Sequence, residues 1–201
     1  MIQNIKVISK EQQATNKWAG GTTTQLAIYP ESASYKDRDF IWRLSTAIVE
    51  LEESTFTKLP GFDRYLMVLD GELKLVHNEH NYAVLKQYQQ DNFEGAWDTT
   101  SYGSARDFNL MVKEGMKGSL KYYKVTCEEP LKIKLDKDDA NRFYACYCYK
   151  GDISVSVDGR EILLEEGELL TIQYQYEDNV DITMQVLAGV ASDIITANIF
   201  R

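Results

Sequence analysis

Arg64 opens an apolar run, Arg64-Tyr65-Leu66-Met67-Val68-Leu69, entered from a Pro60-Gly61 turn and left through Asp70-Gly71. The run reads as a β-strand of a hairpin. Alternate residues of a strand face opposite sides, so Arg64 shares a side with Leu66 and Val68. If that side faces inward, a guanidinium stands at the mouth of an apolar interior, where arginine is rare unless paired. Fixed there, it would grip a carboxylate through two parallel N–H donors. Two other outcomes are open: a side chain turned to solvent, or an internal ion pair with Asp63 or Asp107.

Other residues suited to binding fall on neighbouring runs. Phe40 to Val49 reads as a strand with Trp42, Leu44 and Thr46 on one face and Arg43, Ser45 and Ala47 on the other. Small and polar groups around an arginine suit a ligand-lined interior, and equally a solvated outer face. Ala105 to Val112 sets Asp107, Asn109 and Met111 opposite Phe108, Leu110 and Val112, so its two polar groups can point into the same cavity as Arg64. Trp18 precedes Gly20-Gly21 and the run Thr22-Thr23-Thr24. The glycines would let a backbone approach a ligand, with Thr23 adding a hydroxyl and Trp18 a wall. A bend entering a strand accounts for the glycine pair by itself. No Gly-Lys-Ser/Thr follows, so this is not a phosphate loop.

Metal and thiol chemistry find less support. His77 and His80 sit beside Glu79 at what reads as a polar hairpin tip, and that spacing does not close a metal site. Cys127, Cys146 and Cys148 make an odd count, with two on one face of one strand, and read as reduced packing residues. No metal and no cofactor is expected. A net charge of −9 argues against nucleic acid and anionic membranes as partners. No run approaches the roughly 20 apolar residues of a spanning helix. Met1 to Ile8 lacks the basic and apolar regions of a signal peptide, so a cytoplasmic location is expected.

The positioning elements are strands throughout. Apolar residues make up 44 % and charged residues 26 % of 201, an ordinary globular balance. No segment keeps a helical period for more than two turns. Gly71-Glu72-Leu73-Lys74-Leu75 is echoed by Gly151-Asp152-Ile153-Ser154-Val155, each after an apolar strand and before a turn. A nearly all-β chain with this repeat favours a barrel or jelly roll built twice. Lys113 to Gly118 breaks the pattern. The expected division is 1–115, carrying the ligand site, and 116–201, structural, with strand exchange between the halves allowed.

A closer likeness lies in a set of short motifs. Trp18-Ala19-Gly20-Gly21-Thr22-Thr23-Thr24, Trp42-Arg43-Leu44-Ser45, Phe56 with Pro60-Gly61 and Asp63-Arg64, Phe93-x-Gly95, and Asp107-Phe108-Asn109-Leu110-Met111 together resemble the HutD/Ves family, in order and spacing, over nearly the whole chain. The resemblance implies two cupin-like β-barrels in one chain, a cytoplasmic protein and, in some members, a link to control of histidine utilisation. The first motif is shorter than usual and lacks an Asn. Metal-dependent cupins place two histidines and a carboxylate before the hairpin and another histidine after it. Aligned on Gly71 and Gly95, those places fall on Arg64, near Lys58 and Pro60, and near Asp98. A cation in place of an anionic ligand inverts the preference from metal to anion. The matching places in the second half fall near Tyr144 and Leu170 and suit no metal.

The expected function is binding of a small carboxylate-bearing metabolite by Arg64, with Arg43, Ser45, Thr23, Asn109 and Trp18 around it. Two alternatives stand beside it: a metal-independent isomerase or hydrolase using Asp107 or Asp98, and an interaction scaffold with a filled barrel. A homodimer is compatible with the sequence.

Overall fold

Short alternating runs rich in Val, Ile, Tyr and Thr, cut by glycine turns, can satisfy their backbone groups only by pairing with one another. The computed structural model describes residues 2–135, 142–175, 180–187, 189 and 191–201, and among them the regular elements are strands and one short 3-10 turn, Lys10–Gln12. The first eleven strands are β1 Ile2–Ile8, β2 Ala14–Trp18, β3 Gly21–Tyr29, β4 Trp42–Val49, β5 Glu53–Thr55, β6 Phe62–Gly71, β7 Leu73–His77, β8 Tyr82–Leu85, β9 Gln90–Glu94, β10 Thr99–Tyr102 and β11 Ala105–Lys113. The rest are β12 Lys117–Val125, β13 Leu131–Leu135, β14 Arg142–Lys150, β15 Ile153–Val157, β16 Arg160–Leu164, β17 Leu169–Tyr174, β18 Val180–Val186 and β19 Ser192–Phe200. The fold is all-β.

The chain divides into two compact units, Gln13–Gly118 and a unit formed by Met1–Gln12 with Ser119–Arg201. In the first, a six-stranded sheet runs β2-β3-β4-β11-β6-β9 and a four-stranded sheet runs β5-β10-β7-β8. Leu66 and Val68 of β6 meet Leu73 and Leu75 of β7 and Leu85 of β8 in one buried cluster, which packs the sheets face to face. The inward side of β6 is therefore the side that carries Arg64, whose side chain is 2 % exposed.

In the second unit the sheets run β1-β17-β14-β19-β12 and β13-β18-β15-β16, around a larger apolar cluster that includes Cys146 and Cys148. All three cysteines are free. Burial pushes the Cys148 thiol up to about 12 and Cys146 well above its usual range, so both pack as neutral groups. The sequence echo is an echo of topology: β4-β11-β6-β9 corresponds to β12-β19-β14-β17, and β5-β10-β7-β8 to β13-β18-β15-β16.

Three expectations need correction. Asp70-Gly71 does not turn a hairpin: β6 pairs with β11 and β9, and β7 with β10 and β8 in the other sheet, so the turn carries the chain from one sheet to the next. A division at 115 puts Ile2–Ile8 with the N-terminal half, but β1 pairs antiparallel with β17, Ile5 opposite Ile172 and Val7 opposite Leu170. Its alternation marks a strand and says nothing of which open edge it will cover. His77 is not at a polar tip. It ends β7 buried, hydrogen-bonded to Thr99 Oγ1 at 2.8 Å and Asp91 Oδ2 at 2.9 Å, with its ring against Phe93.

The glycine pair has two separate jobs. Gly21 has φ +147°, and a Cβ there would lie 1.9 Å from the Ile48 carbonyl oxygen. A Cβ on Gly20 would instead meet the Trp18 ring first, at 2.0 Å. Gly21→Ala is therefore expected to cost at least ~2 kcal/mol in denaturant unfolding. Gly20→Ala is expected to leave stability nearly unchanged and to shift tryptophan fluorescence as the Trp18 ring moves. Equal stability of the two variants would show that the backbone here is not constrained.

Candidate functional site

Three adjacent strands set the site. Register places Arg43, Met111 and Arg64 in one row across β4, β11 and β6. Ser45, Asn109 and Leu66 form the next row, and Ala47, Asp107 and Val68 the third. On β3, Gln25 lies opposite Ser45 and Thr23 opposite Ala47. Alternation makes these one face. Where the leucines of β7 and β8 fill the space between the sheets, the face is core. Beyond them it lines a cavity of about 350 Å³.

All six residues singled out from the sequence line this cavity: Arg64, Arg43, Ser45, Thr23, Asn109 and Trp18. Arg43 Nε donates to Gln25 Oε1 at 2.8 Å and its Nη1 to Ser45 Oγ at 3.1 Å, while the guanidinium lies 4.6 Å from the centre of the Tyr35 ring. Arg64 Nη2 donates to the Thr57 carbonyl at 2.6 Å, with the Phe56 ring 5.3 Å away. Each guanidinium is thus oriented by neutral acceptors and an aromatic face, the second kind of contact being favourable when desolvated. Trp18 stands half in solvent at 40 % exposure, its Nε1 donating to Thr23 Oγ1 at 3.1 Å, so Thr23 serves as much to hold this wall as to face a ligand.

Sequence reading missed Tyr35 and gave Thr57 no role. Tyr35 lies in a stretch read as a polar loop, and an aromatic residue among Ser, Lys and Asp was the one signal available. Thr57 acts through its backbone carbonyl, which no side-chain pattern discloses. Asp107, considered as a partner of Arg64, is fully inside, 2 % exposed.

Charge in the cavity does not balance. Burial lowers Arg43 to about 10, with Tyr35 opposing and Arg64 adding to the fall. Burial lowers Arg64 as well, countered by Tyr35 and Asp107. Both guanidiniums stay protonated at neutral pH. Asp107 is pushed up to about 7 by burial, against the pull of the Ala47 backbone hydrogen bond and of Arg64. Two buried cations, with Lys17 at the exposed rim, therefore face one lining carboxyl that is only partly ionised at neutrality. Three polar atoms here, Arg64 Nε, Asp107 Oδ1 and Asn109 Oδ1, are buried without a hydrogen-bond partner. A ligand presenting an anion to the arginines and an N–H or O–H to Asp107 and Asn109 would satisfy all three.

A cupin-type metal does not fit these residues. The carboxylate place holds Arg64, and at the histidine places Lys58 and Asp98 pair with each other at 3.6 Å in solvent. Among the described residues no group of three His, Cys, Asp or Glu could hold an ion.

The raised Asp107 carries a stability signature. The folded state holds its proton more tightly than the unfolded chain, whose ordinary value is 3.8. This group's contribution is thus fully present below about pH 4 and is lost as pH rises through about 7. Asp107→Asn is expected to raise Tm at pH 8 by several degrees more than at pH 5. An equal change at both pH values, followed by scanning calorimetry, would show that Asp107 is ionised throughout.

Solved structures share this fold at low identity. A conserved protein of unknown function, PA5104, from Pseudomonas aeruginosa PAO1 superposes with a TM-score of 0.82 at 18% identity, covering 99% of this chain and 100% of that one. HutD from Pseudomonas fluorescens SBW25, solved in a formate condition, gives 0.69 at 20%, covering 96% and 98%. A Lactobacillus farciminis oxalate decarboxylase formate complex gives 0.65 at 7%, covering 98% and 86%. These neighbours establish a cupin-like fold. No curated protein matches the chain. The family model for HutD matches residues 10–188, most of the length, and the chain belongs to the HutD family.

Proposed function

We propose that this protein binds a small carboxylate-bearing metabolite in the cavity of its Gln13–Gly118 unit, as a metal-free sensor. The observation that supports the reading most is the pair of buried guanidiniums, Arg43 and Arg64, in one row, with only the part-ionised Asp107 as an acid among the described lining residues. Burying a cation without a counter-charge costs several kcal/mol, and an incoming carboxylate offsets that cost. Asn109 and the neutral form of Asp107 would then hold the polar end of the ligand. Membership of the HutD family makes the acids of histidine breakdown the first candidates, and regulation of histidine utilisation in the cytoplasm the role. Among the described residues no helix is long and apolar enough to cross a membrane.

An enzyme reading has one observation in its favour. Asp107, with its carboxyl near 7 and an unpartnered oxygen beside the cavity, is where a general acid or base would work at neutral pH. Turnover in a screen of these acids that Asp107→Asn removes while leaving binding intact would favour catalysis over sensing. A filled interior, as a scaffold would have, is at odds with a cavity of about 350 Å³.

Titration calorimetry with urocanate, formylglutamate and histidine tests the binding. Arg64→Lys is expected to weaken the best ligand by roughly tenfold, since an ammonium keeps the charge but not the two parallel donors. Arg64→Met is expected to cost ~2 to 5 kcal/mol of binding. Neither change should lower Tm by more than a few degrees, because an unmatched buried charge contributes little to the empty fold. No binding of any small anion by the wild-type protein, or unfolding of Arg64→Met alongside normal binding by Arg64→Lys, would overturn the assignment.

A further inference from the structure

The second unit has a cavity of its own, about 310 Å³, on the face of β12, β19 and β14, and its buried cation, Arg142, already has a partner within the chain. In the first unit's cavity the charges are less settled. Asp107 is the acid among the described lining residues there. It is 2 % exposed and lies two positions from Asn109 on one face of β11, and Oδ1 of each is buried without a hydrogen-bond partner. A carboxyl with a free oxygen in so enclosed a space gets little help from water in carrying charge. Arg64 and the backbone hydrogen bond of Ala47 favour its ionised form, and burial opposes it.

Few other charges face it. β4 contributes Arg43, β6 contributes Arg64, and the loop before β4 contributes the Tyr35 phenol. Lys17 of β2 stands exposed at the rim. β3, β5 and β10 turn only uncharged groups toward the space, Thr23, Ser54, Thr55 and Ser101, and the segment before β6 adds Phe56 and Thr57. Arg64 is therefore the cation whose charge helps to hold Asp107 ionised, and it is also the group that would receive a ligand's carboxylate.

The two demands on Arg64 conflict. A bound carboxylate cancels the charge that Asp107 draws on, adds a second negative charge to the same space, and excludes water from it. Each effect favours the neutral carboxyl. Neutral Asp107 still has a carbonyl oxygen that accepts, and it gains an O–H that donates. We propose that Asp107 takes up a proton as an acid binds in this cavity, so that binding of acids weakens as pH rises. The coupling rests on the cavity's being a site for acids, as proposed above. With the empty site's carboxyl at about 7, binding is at full strength below that value, and above it each ligand must bring a proton in. The opposite sign belongs to a ligand that turns an ammonium toward Asp107: it would hold the carboxylate ionised, release protons and bind better as pH rises.

Titration calorimetry of the full-length protein with formylglutamate, urocanate and histidine, at roughly pH 7 and roughly pH 8.5, reads the linkage. The best-binding acid is expected to bind at least about fivefold more weakly at the higher pH. Repeated there in Tris and in triethanolamine, whose ionisation enthalpies differ, the heats are expected to show uptake of about one proton per ligand. Asp107→Asn, which cannot titrate, is expected to bind equally at both pH values and more tightly than the wild type at the higher one. No binding of any of these compounds at the lower pH would overturn acid binding and the proton coupling together. Equal binding by the wild type at both pH values, release of protons, or a pH dependence that persists in Asp107→Asn would overturn the coupling alone and leave the anion site standing.

Discussion

Two guanidiniums held inside a protein, with a single half-ionised carboxyl further along the same cavity lining, set the terms for the whole first unit. Water cannot solvate Arg64, so its charge depends on what the surrounding strands and loops direct at it: the Thr57 carbonyl, the Phe56 face, and Asp107 further along the cavity. Arg43 has the same need and meets it with Gln25, Ser45 and Tyr35. Each of these partners comes from a different element. The loop before β4, the loop before β6, and β3 must all be in place for the arginines to be tolerated. The site and the fold of this unit are in that sense one structure.

The same face of the six-stranded sheet serves as core and as cavity wall within the length of a few residues. Along β6, Leu66 and Val68 pack against β7 and β8, while Arg64 lines the open space. What separates the two regimes is the opposite sheet. Leu73, Leu75 and Leu85 fill the space at one end, and at the other Ser101 of β10 and the small residues of β5 leave it vacant. An interior cannot sustain a void among apolar residues without losing their contacts, so the residues around the opening are polar or aromatic rather than aliphatic. Trp18, seated over Gly20 and tied to Thr23, stands at the solvent end of that opening.

Duplication gives the chain two copies of one strand order, and the copies differ where the cavities lie. In the first, an arginine row with a buried acid suits a ligand with both an anion and a donor. In the second, tyrosine, asparagine and hydroxyls occupy the rows and the cations come from β12, β13 and the start of β14. Among the described residues neither lining includes a histidine of the kind a cupin-type metal would need. A cation where an anionic metal ligand would stand gives the place a charge suited to an anion rather than a metal.

How much of this could be read without coordinates follows from which interactions are local. Alternation and turn chemistry are properties of neighbouring residues, so the strands, the Asp158-Gly159 hairpin, the repeat, and the faces that Arg43 shares with Ser45 and Asp107 with Asn109 were legible in the chain itself, but not that those faces turn inward. Because residues of adjacent strands converge once those strands pair, six residues chosen on periodicity and motif, from β2, β3, β4, β11 and β6, line a single cavity. Pairing across long separations is another matter. The alternation of Ile2–Ile8 does not name its partner, and β1 closes an edge of the C-terminal sheet. His77 looked like a surface residue until β9 and β10 brought Asp91 and Thr99 to it. Tyr35 reaches Arg43 from a loop without periodicity, and Thr57 acts through a carbonyl. The unmatched charge of the first cavity and the very existence of the second were decided only in three dimensions, because desolvation depends on what packs across the interior and not on what is adjacent in sequence.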